Sequence, residues 1–333
     1  MTLTTVFVTG ASGFIAQHII KQLLEKKYAV VGTVRSASKG DWLKEIINSE
    51  NFSYEIVPHL DTPGAFDEAL SKHPEVTVFI HTASPVIPDA KDLEQEILKP
   101  AIEGTKNALT AIVSHAPQVQ KVVITSSIVS VYDFSHHEKV HTEKDWNPIS
   151  YEQSLENGGN AYCGSKKFAE LAVWDFVKEN KAHFDVSFVL PSYAFGPQAY
   201  AVKDKSQLNL SSEVINGVLK LGPNDPVPAL CGNFIDVRDV ASAHIKAFED
   251  DGAANHRLVL VSDAWTAEKI THIINEKFPE LNGPKGDLEK HGEQLTREGK
   301  DGDFSRTKSL LGFEYISLEK SVVDCVNQIL ATE

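Results

Sequence analysis

A chain of 333 residues with 42% hydrophobic side chains can bury a large core, either in one large domain or in a domain with a smaller lobe. Its formal net charge of −14, spread along the sequence and not gathered in a tail, argues against nucleic acid and anionic membranes as partners. No apolar run reaches the roughly 18 residues of a membrane span. Met1 to Thr5 lacks the basic region of a signal peptide, and Cys163, Cys231 and Cys325 are too scattered for a disulfide frame or a zinc site. A cytoplasmic protein with reduced thiols is expected.

Val6-Phe7-Val8 reads as a buried strand that ends in Thr9-Gly10-Ala11-Ser12-Gly13-Phe14-Ile15-Ala16. Ile15, Ile19, Ile20, Leu23 and Leu24 then share a helix face. Strand, glycine turn and helix follow in the order of a dinucleotide cradle. Gly10 allows the tight turn, and Gly13 lets backbone approach a pyrophosphate, which the helix N-terminus attracts. Gly10, Ser12, Gly13, Phe14 and Ile15 are the candidate contacts, and Ala16 fills the third small position. The spacing is G-x-x-G-x-x-A, so an ordinary glycine-rich strand–helix turn is the competing reading.

The next strand, Tyr28 to Val34, is followed by Arg35, and the first acid after it is Asp41. A carboxylate at the end of this strand would bind ribose hydroxyls, whereas a guanidinium pairs with a 2′-phosphate. Arg35, with Lys39 as an auxiliary, therefore predicts NADP(H). Phe52 to Val57 is a strand candidate, followed by a helix over Ala65 to Ser71, with Leu60 as a wall for the adenine. Val76 to His81 is a further buried strand. It leads into Thr82-Ala83-Ser84-Pro85, a small-residue turn where ligands lie in open α/β sheets; Thr82, Ala83 and Ser84 are cofactor candidates. A helix from about Asp92 to Ser114 must bend or divide at Pro100, and Gly104 allows close approach.

Lys121 to Ser127 is a strand ending in hydroxyls. Asn160-Ala161-Tyr162-Cys163-Gly164-Ser165-Lys166 then opens a helix that continues through Phe168, Leu171, Ala172 and Phe176. Tyr162 and Lys166 are four apart and share a helix face. The ammonium should lower the phenol pKa from about 10 towards neutrality, making Tyr162 a candidate general acid.

The glycine turn, the turn after the fourth strand, Thr125-Ser126-Ser127 and Tyr-x-x-x-Lys resemble the extended short-chain dehydrogenases/reductases in order and spacing. Val8 to Ala16, His81-Thr82-Ala83-Ser84-Pro85, Asn160 to Lys166 and Phe234-Ile235-Asp236-Val237-Arg238-Asp239-Val240-Ala241 resemble the dihydroflavonol-4-reductase-like branch, and within it the fungal NADPH-dependent methylglyoxal/isovaleraldehyde (carbonyl) reductases. The resemblance covers essentially the whole chain. It implies a Rossmann-type doubly wound parallel α/β sheet with a smaller C-terminal substrate lobe. It implies that Tyr162 protonates a carbonyl oxygen while the nicotinamide delivers hydride, that Lys166 lowers the tyrosine pKa and holds the nicotinamide ribose, and that Ser127 bonds the carbonyl oxygen. The residues alone leave Ser126 and Ser127 equivalent; the family pattern favours Ser127. It also places Pro191 beside the nicotinamide. Pro58-His59-Leu60-Asp61, where an acid is usual, and Leu190-Pro191, where Asn-Pro or Arg-Pro is usual, depart from the pattern.

Residues 1–190 are expected to form the dinucleotide-binding domain, to which about 231–250 returns, with Phe234 to Arg238 coming back towards the main sheet. Residues 191–230 and 251–333 are expected to form the substrate lobe. His136, His137 and His141 lie in a stretch expected to be a polar surface loop, and no metal is expected. Leu208 to Leu221 and Ala241 to Phe248 read as helices, Asn282 to Asp303 as a mobile loop, and Leu318 to Leu330 as an amphipathic final helix. The acids of Asp236-Val237-Arg238-Asp239 are expected in structural salt bridges. Val86, Ile128, Tyr132, Tyr193 and Phe195 are the candidate substrate walls, apolar with a few hydroxyls, as suits aldehydes, α-dicarbonyls and ketones. The partner is expected to be a small carbonyl compound, and the protein a monomer or homodimer. A nucleotide-sugar epimerase or dehydratase and a non-catalytic NADP-sensing regulator are the alternatives; Arg35 opposes the first, and the full Ser127, Tyr162 and Lys166 set opposes the second.

Overall fold

The computed structural model describes residues 4–84, 89–134, 139–201, 204–205, 208–298 and 302–332. Strand–helix alternation runs as expected through the first half: β1 (Thr5–Thr9), α1 (Phe14–Glu25), β2 (Ala29–Val34), α2 (Ala37–Ile47), β3 (Phe52–Ile56), α3 (Asp67–Ser71) and β4 (Val76–His81). A π-helical turn (Glu94–Leu98) leads into α4 (Lys99–His115), and Pro100 stands in the first turn of α4, so the helix is divided there. Then come β5 (Lys121–Thr125), α5 (Gly158–Asn180), β6 (Asp185–Pro191), β7 (Tyr193–Phe195), α6 (Leu210–Leu219), β8 (Cys231–Asp236), α7 (Val237–Glu249), β9 (Arg257–Leu260) and β10 (Asp263–Thr266). The chain closes with α8 (Ala267–Lys277), α9 (Leu288–Glu298), α10 (Ser305–Leu311) and α11 (Leu318–Ala331).

The main sheet has seven parallel strands in the order β3-β2-β1-β4-β5-β6-β9. All five residues of β1 are buried, as a central strand covered by helices on both faces requires. Alternate side chains feed different cores. Val6 and Val8 join Ile19, Ile20, Leu23 and Val240 on one face, while Phe7 joins Phe79, Ile112 and Phe188 on the other. The strand order reverses between β1 and β4. That reversal opens a crevice at their carboxyl ends, which hold Gly10 and Thr82-Ala83-Ser84.

Two expectations are overturned and one is met in part. Phe234 to Arg238 returns towards the main sheet, since Ile235 and Val240 share a core with Val6 and Val8, but it does not add a strand to it. β8 lies in a second sheet, β10-β8-β7, because Phe234 packs against Phe195 in a third core with Trp265, Ile215 and Val322. The seventh main-sheet position belongs instead to β9, within the segment assigned to the substrate lobe. Asn282 to Asp303 is no plain loop, since it contains α9, pinned by the Asp287 amide donating to Glu268 at 2.8 Å and by Thr266 with His291 at 3.0 Å. No helix among the described residues is long and apolar enough to cross a membrane.

The fully buried Asp236 joins the lobes. It caps α7 by accepting from the Arg238 amide at 2.8 Å, and pairs with the Arg238 guanidinium, whose Nη1 also reaches Asp324 of α11 at 2.6 Å. The structural salt bridge expected here is made by Asp236, whereas Asp239 accepts from the Ile316 amide at 2.7 Å. Arg238→Met strands the buried Asp236 carboxylate and is expected to cost about 3 kcal/mol, read as a lower urea midpoint at constant slope.

Candidate active site

The crevice is built on one hydroxyl. Thr9 Oγ1, at the end of β1, accepts from the Thr82 and Ala83 amides, each at 3.1 Å, and bonds His81 Nδ1 at 2.9 Å. Thr82 returns its own hydroxyl to the Thr9 carbonyl at 2.5 Å. Since Thr9 Oγ1 has one proton and two amides already donate to it, that proton goes to His81 Nδ1. Burial holds His81 neutral, with its pKa down to about 3. The turn after β4 is thereby drawn onto the glycine turn. Gly10 has φ +66°, and a Cβ there would stand 3.0 Å from the Ala83 Cα, so only glycine fits without strain.

The Gly13 amide donates to the Gly10 carbonyl at 2.8 Å, and Gly13 precedes α1 without any side-chain cap. Ser12, Phe14 and Ile15 are half-buried around this uncapped start. Arg35 follows β2 and is exposed. Asp41, the next acid, accepts from the Tyr54 hydroxyl at 2.7 Å. Lys39 is exposed, its ammonium 5.6 Å from the Trp42 ring centroid. Leu60 lies against Gly104 so closely that its Cδ1 is 1.6 Å from where a Cβ of residue 104 would stand. Asn107 fixes that loop through the Leu60 and Thr62 carbonyls, at 3.1 and 3.0 Å. Pro191 ends β6 and is paired with Leu260 of β9, and Leu190 beside it is fully buried in the apolar core.

Across the crevice, α5 starts after Asn157, whose side chain accepts from the Asn160 amide at 2.9 Å. Its first turns present Tyr162, 36% exposed, and Lys166, 9% exposed, with the ammonium 5.9 Å from the Tyr162 ring centroid. The Ser127 side chain, whose hydroxyl accepts from the Val129 amide at 3.4 Å, stands near enough to the Tyr162 phenol to favour its ionised form. Ser126 turns inward and donates to Glu170 at 3.1 Å, so the two serines that the sequence left equivalent are separated.

The expected fall of the Tyr162 pKa does not occur. Desolvation raises it above its usual value of 10, and the nearby Ser127 side chain opposes the rise only in part. Burial falls on Lys166 as well, bringing its pKa down to about 8. The site thus pairs a protonated phenol with an ammonium that titrates near neutrality.

The substrate-wall candidates divide. Tyr193 is 52% exposed, edge-on to Trp265, with Gly232 directly behind it: a Cβ there would stand 3.1 Å from Tyr193 Cδ2. Ile128 and Tyr132 are buried, and the Tyr132 hydroxyl accepts from the Asn233 side-chain amide. Phe195 is a correction: it is 0% exposed, stacked on Phe234 inside the C-terminal core, because β7 runs from the crevice into that lobe. Val86, His136 and His137 lie outside the described residues. His141 is likewise not on a polar surface; it is fully buried and accepts from the Asp133 amide at 3.0 Å. Gly232 and Asn233 went unnoticed in the sequence, since only the pairing of β7 with β8 brings them here.

The model of the NAD dependent epimerase/dehydratase family matches residues 6–260. The NADPH-dependent methylglyoxal reductase of Saccharomyces cerevisiae is 41% identical over 99% of both chains. Gre2 of Candida albicans, solved in complex with NADPH, superposes with a TM-score of 0.95 at 48% identity over 99% of both chains. The yeast methylglyoxal/isovaleraldehyde reductase, also complexed with NADPH, does so with a TM-score of 0.94 at 40% identity over 98% of both chains. With the crevice, the uncapped glycine turn and the Ser127, Tyr162 and Lys166 cluster in place, the chain belongs to the NAD dependent epimerase/dehydratase family of extended short-chain dehydrogenases/reductases.

Proposed function

We propose that this chain is an NADPH-dependent carbonyl reductase that converts aldehydes, α-dicarbonyls and ketones to alcohols. The observation that carries the reading is the cluster of Ser127, Tyr162 and Lys166, with the Lys166 ammonium 5.9 Å from the Tyr162 ring centroid and lining one cavity with Ala83 and Ser84 of the turn after β4. The residues fit the cofactor: positive φ at Gly10, uncapped amides at the start of α1, and an exposed guanidinium after β2. Gly10, Ser12, Gly13, Phe14 and Ile15 would hold the pyrophosphate, Arg35 and Lys39 the 2′-phosphate, and Leu60 the adenine. Thr82, Ala83, Ser84, Lys166 and Pro191 would line the nicotinamide end.

When bound, NADPH supplies the hydride that the carbonyl carbon gains. Tyr162 gives its phenolic proton to the carbonyl oxygen, and its raised pKa keeps that proton in place at neutral pH. Ser127 donates a hydrogen bond to the same oxygen as negative charge builds on it. The Lys166 ammonium stabilises the phenolate left behind. Tyr193, with Ile128 and Tyr132 beneath, forms the wall for the rest of the substrate. Three cysteines scattered along the chain fit a cytoplasmic location, and the charge of −14 fits a small-molecule partner over nucleic acid.

The direct test is NADPH consumption over methylglyoxal, isovaleraldehyde, diacetyl and aryl ketones; binding of NADPH with no oxidation by any of them rejects the proposal. Tyr162→Phe should lower kcat by about a thousandfold with an unchanged melting temperature. Arg35→Glu should lower kcat/KM for NADPH by about tenfold to a hundredfold and bring NADH level with it. Lys166 loses its proton as pH rises through about 8, so turnover should be full below that value and decline above it in the pH profile of kcat/KM.

A further inference from the structure

Helix α5 carries Tyr162, Lys166 and Glu170 at successive intervals of four residues. A lysine and a glutamate so spaced normally attract one another. Here the Glu170 carboxylate is engaged elsewhere. Its Oε1 lies 2.5 Å from Arg257 Nε of β9, and its Oε2 accepts from Ser126 at 3.1 Å, Ser130 at 3.0 Å and Arg257 Nη2 at 3.4 Å. Both side chains of the ion pair are buried, at 8% and 0% exposure. Arg257 is itself fixed: its guanidinium lies 3.9 Å from the Trp146 ring centroid, and its Nη1 donates to the Glu143 and Asp145 carbonyls at 2.8 and 2.6 Å. Lys166, left without that carboxylate, lies over Tyr162. A cavity of about 20 Å³ is lined by both Lys166 and Glu170, together with His81, Thr105 and Ser126, and gives the ammonium room to move.

We propose that Arg257 is a positioning residue: by occupying Glu170 it prevents that carboxylate from capturing Lys166, and so leaves the ammonium beside Tyr162. The inference rests on the proposed roles of Tyr162 and Lys166. A buried carboxylate that loses its guanidinium must find another cation or take up a proton. Lys166, one turn back on the same helix, is a cation within reach. The charged and titratable groups around it are few. Lys166 lies over Tyr162 on α5 and shares the cavity with Glu170 and the neutral His81 of β4, while Glu170 meets Arg257 on β9 and the hydroxyls of Ser126 and Ser130.

The test compares wild type, Arg257→Met, Glu170→Gln, the double variant and Tyr162→Phe by kcat, KM, pH profile and melting temperature. Arg257→Met should lower kcat by about a hundredfold with little change in KM. It should also move the alkaline limb of kcat up by about one pH unit, since a Lys166 paired with Glu170 holds its proton longer. Glu170→Gln should keep the wild-type limb. The double variant, having no carboxylate to capture Lys166, should recover kcat to within about tenfold of wild type and restore the limb. A double variant no faster than Arg257→Met, or an unmoved limb in Arg257→Met, overturns the proposal. Should Arg257→Met not fold, the double variant decides alone: folded, but about a hundredfold slow, it overturns the proposal. Near-normal turnover by Tyr162→Phe rejects the underlying catalytic reading instead, whatever the other variants do.

Discussion

The crevice depends on the threonine hydroxyl at the end of β1. Thr9 accepts two amides from the turn after β4 and donates to His81, so two strand ends that are far apart in the chain become one wall. The positive φ of Gly10 and its close approach to Ala83 follow from that stitch. Thr9 is fully buried, so no water competes for these bonds, and the wall is set before any ligand arrives.

Opposite this wall, α5 acts as a rigid carrier. Its first turns expose Tyr162 to the crevice and hold Lys166, mostly buried, beside it, while the next turn drives Glu170 into the protein. A single helix thus spans the boundary between a site where charge must change and an interior where charge must be neutralised. Burial acts on both sides of that boundary. It raises the phenol pKa and lowers the lysine pKa, which leaves a donor that keeps its proton beside a cation that can lose one.

Much of this was legible in the sequence because it is local. The glycine turn, Arg35 after β2, and Tyr162 with Lys166 are each defined by spacing within one turn or one helix, and strands β1, β2, β4 and β5 read directly from continuous apolar runs. What was not legible depends on distant pairing. β9 has four residues, too few to show a period, and its place in the sheet is decided by β6. Phe234 reads as a sheet residue either way; the sheet it joins is set by Phe195 and Trp265. α9 hid within a charged, glycine-bearing stretch because it is held by hydrogen bonds to Thr266 and Glu268 that the sequence does not display. The Tyr162 pKa was misjudged because the lysine was visible in the spacing and the surrounding desolvation was not.

The lobes do not meet at a free hinge. α7 packs along α1, where the Lys26 ammonium reaches Glu249 and the Gln22 side chain reaches the Arg238 carbonyl, while the cap of the same helix holds α11 through Arg238. Opening the crevice by swinging the C-terminal lobe would pull Asp324 of α11 away from Arg238, the guanidinium that also neutralises the buried Asp236. The gap between the lobes therefore behaves as a fixed aperture. Differences in the size of accepted carbonyl compounds then fall to the ring of Tyr193, half in solvent, with Gly232 behind it and Trp265 against its edge.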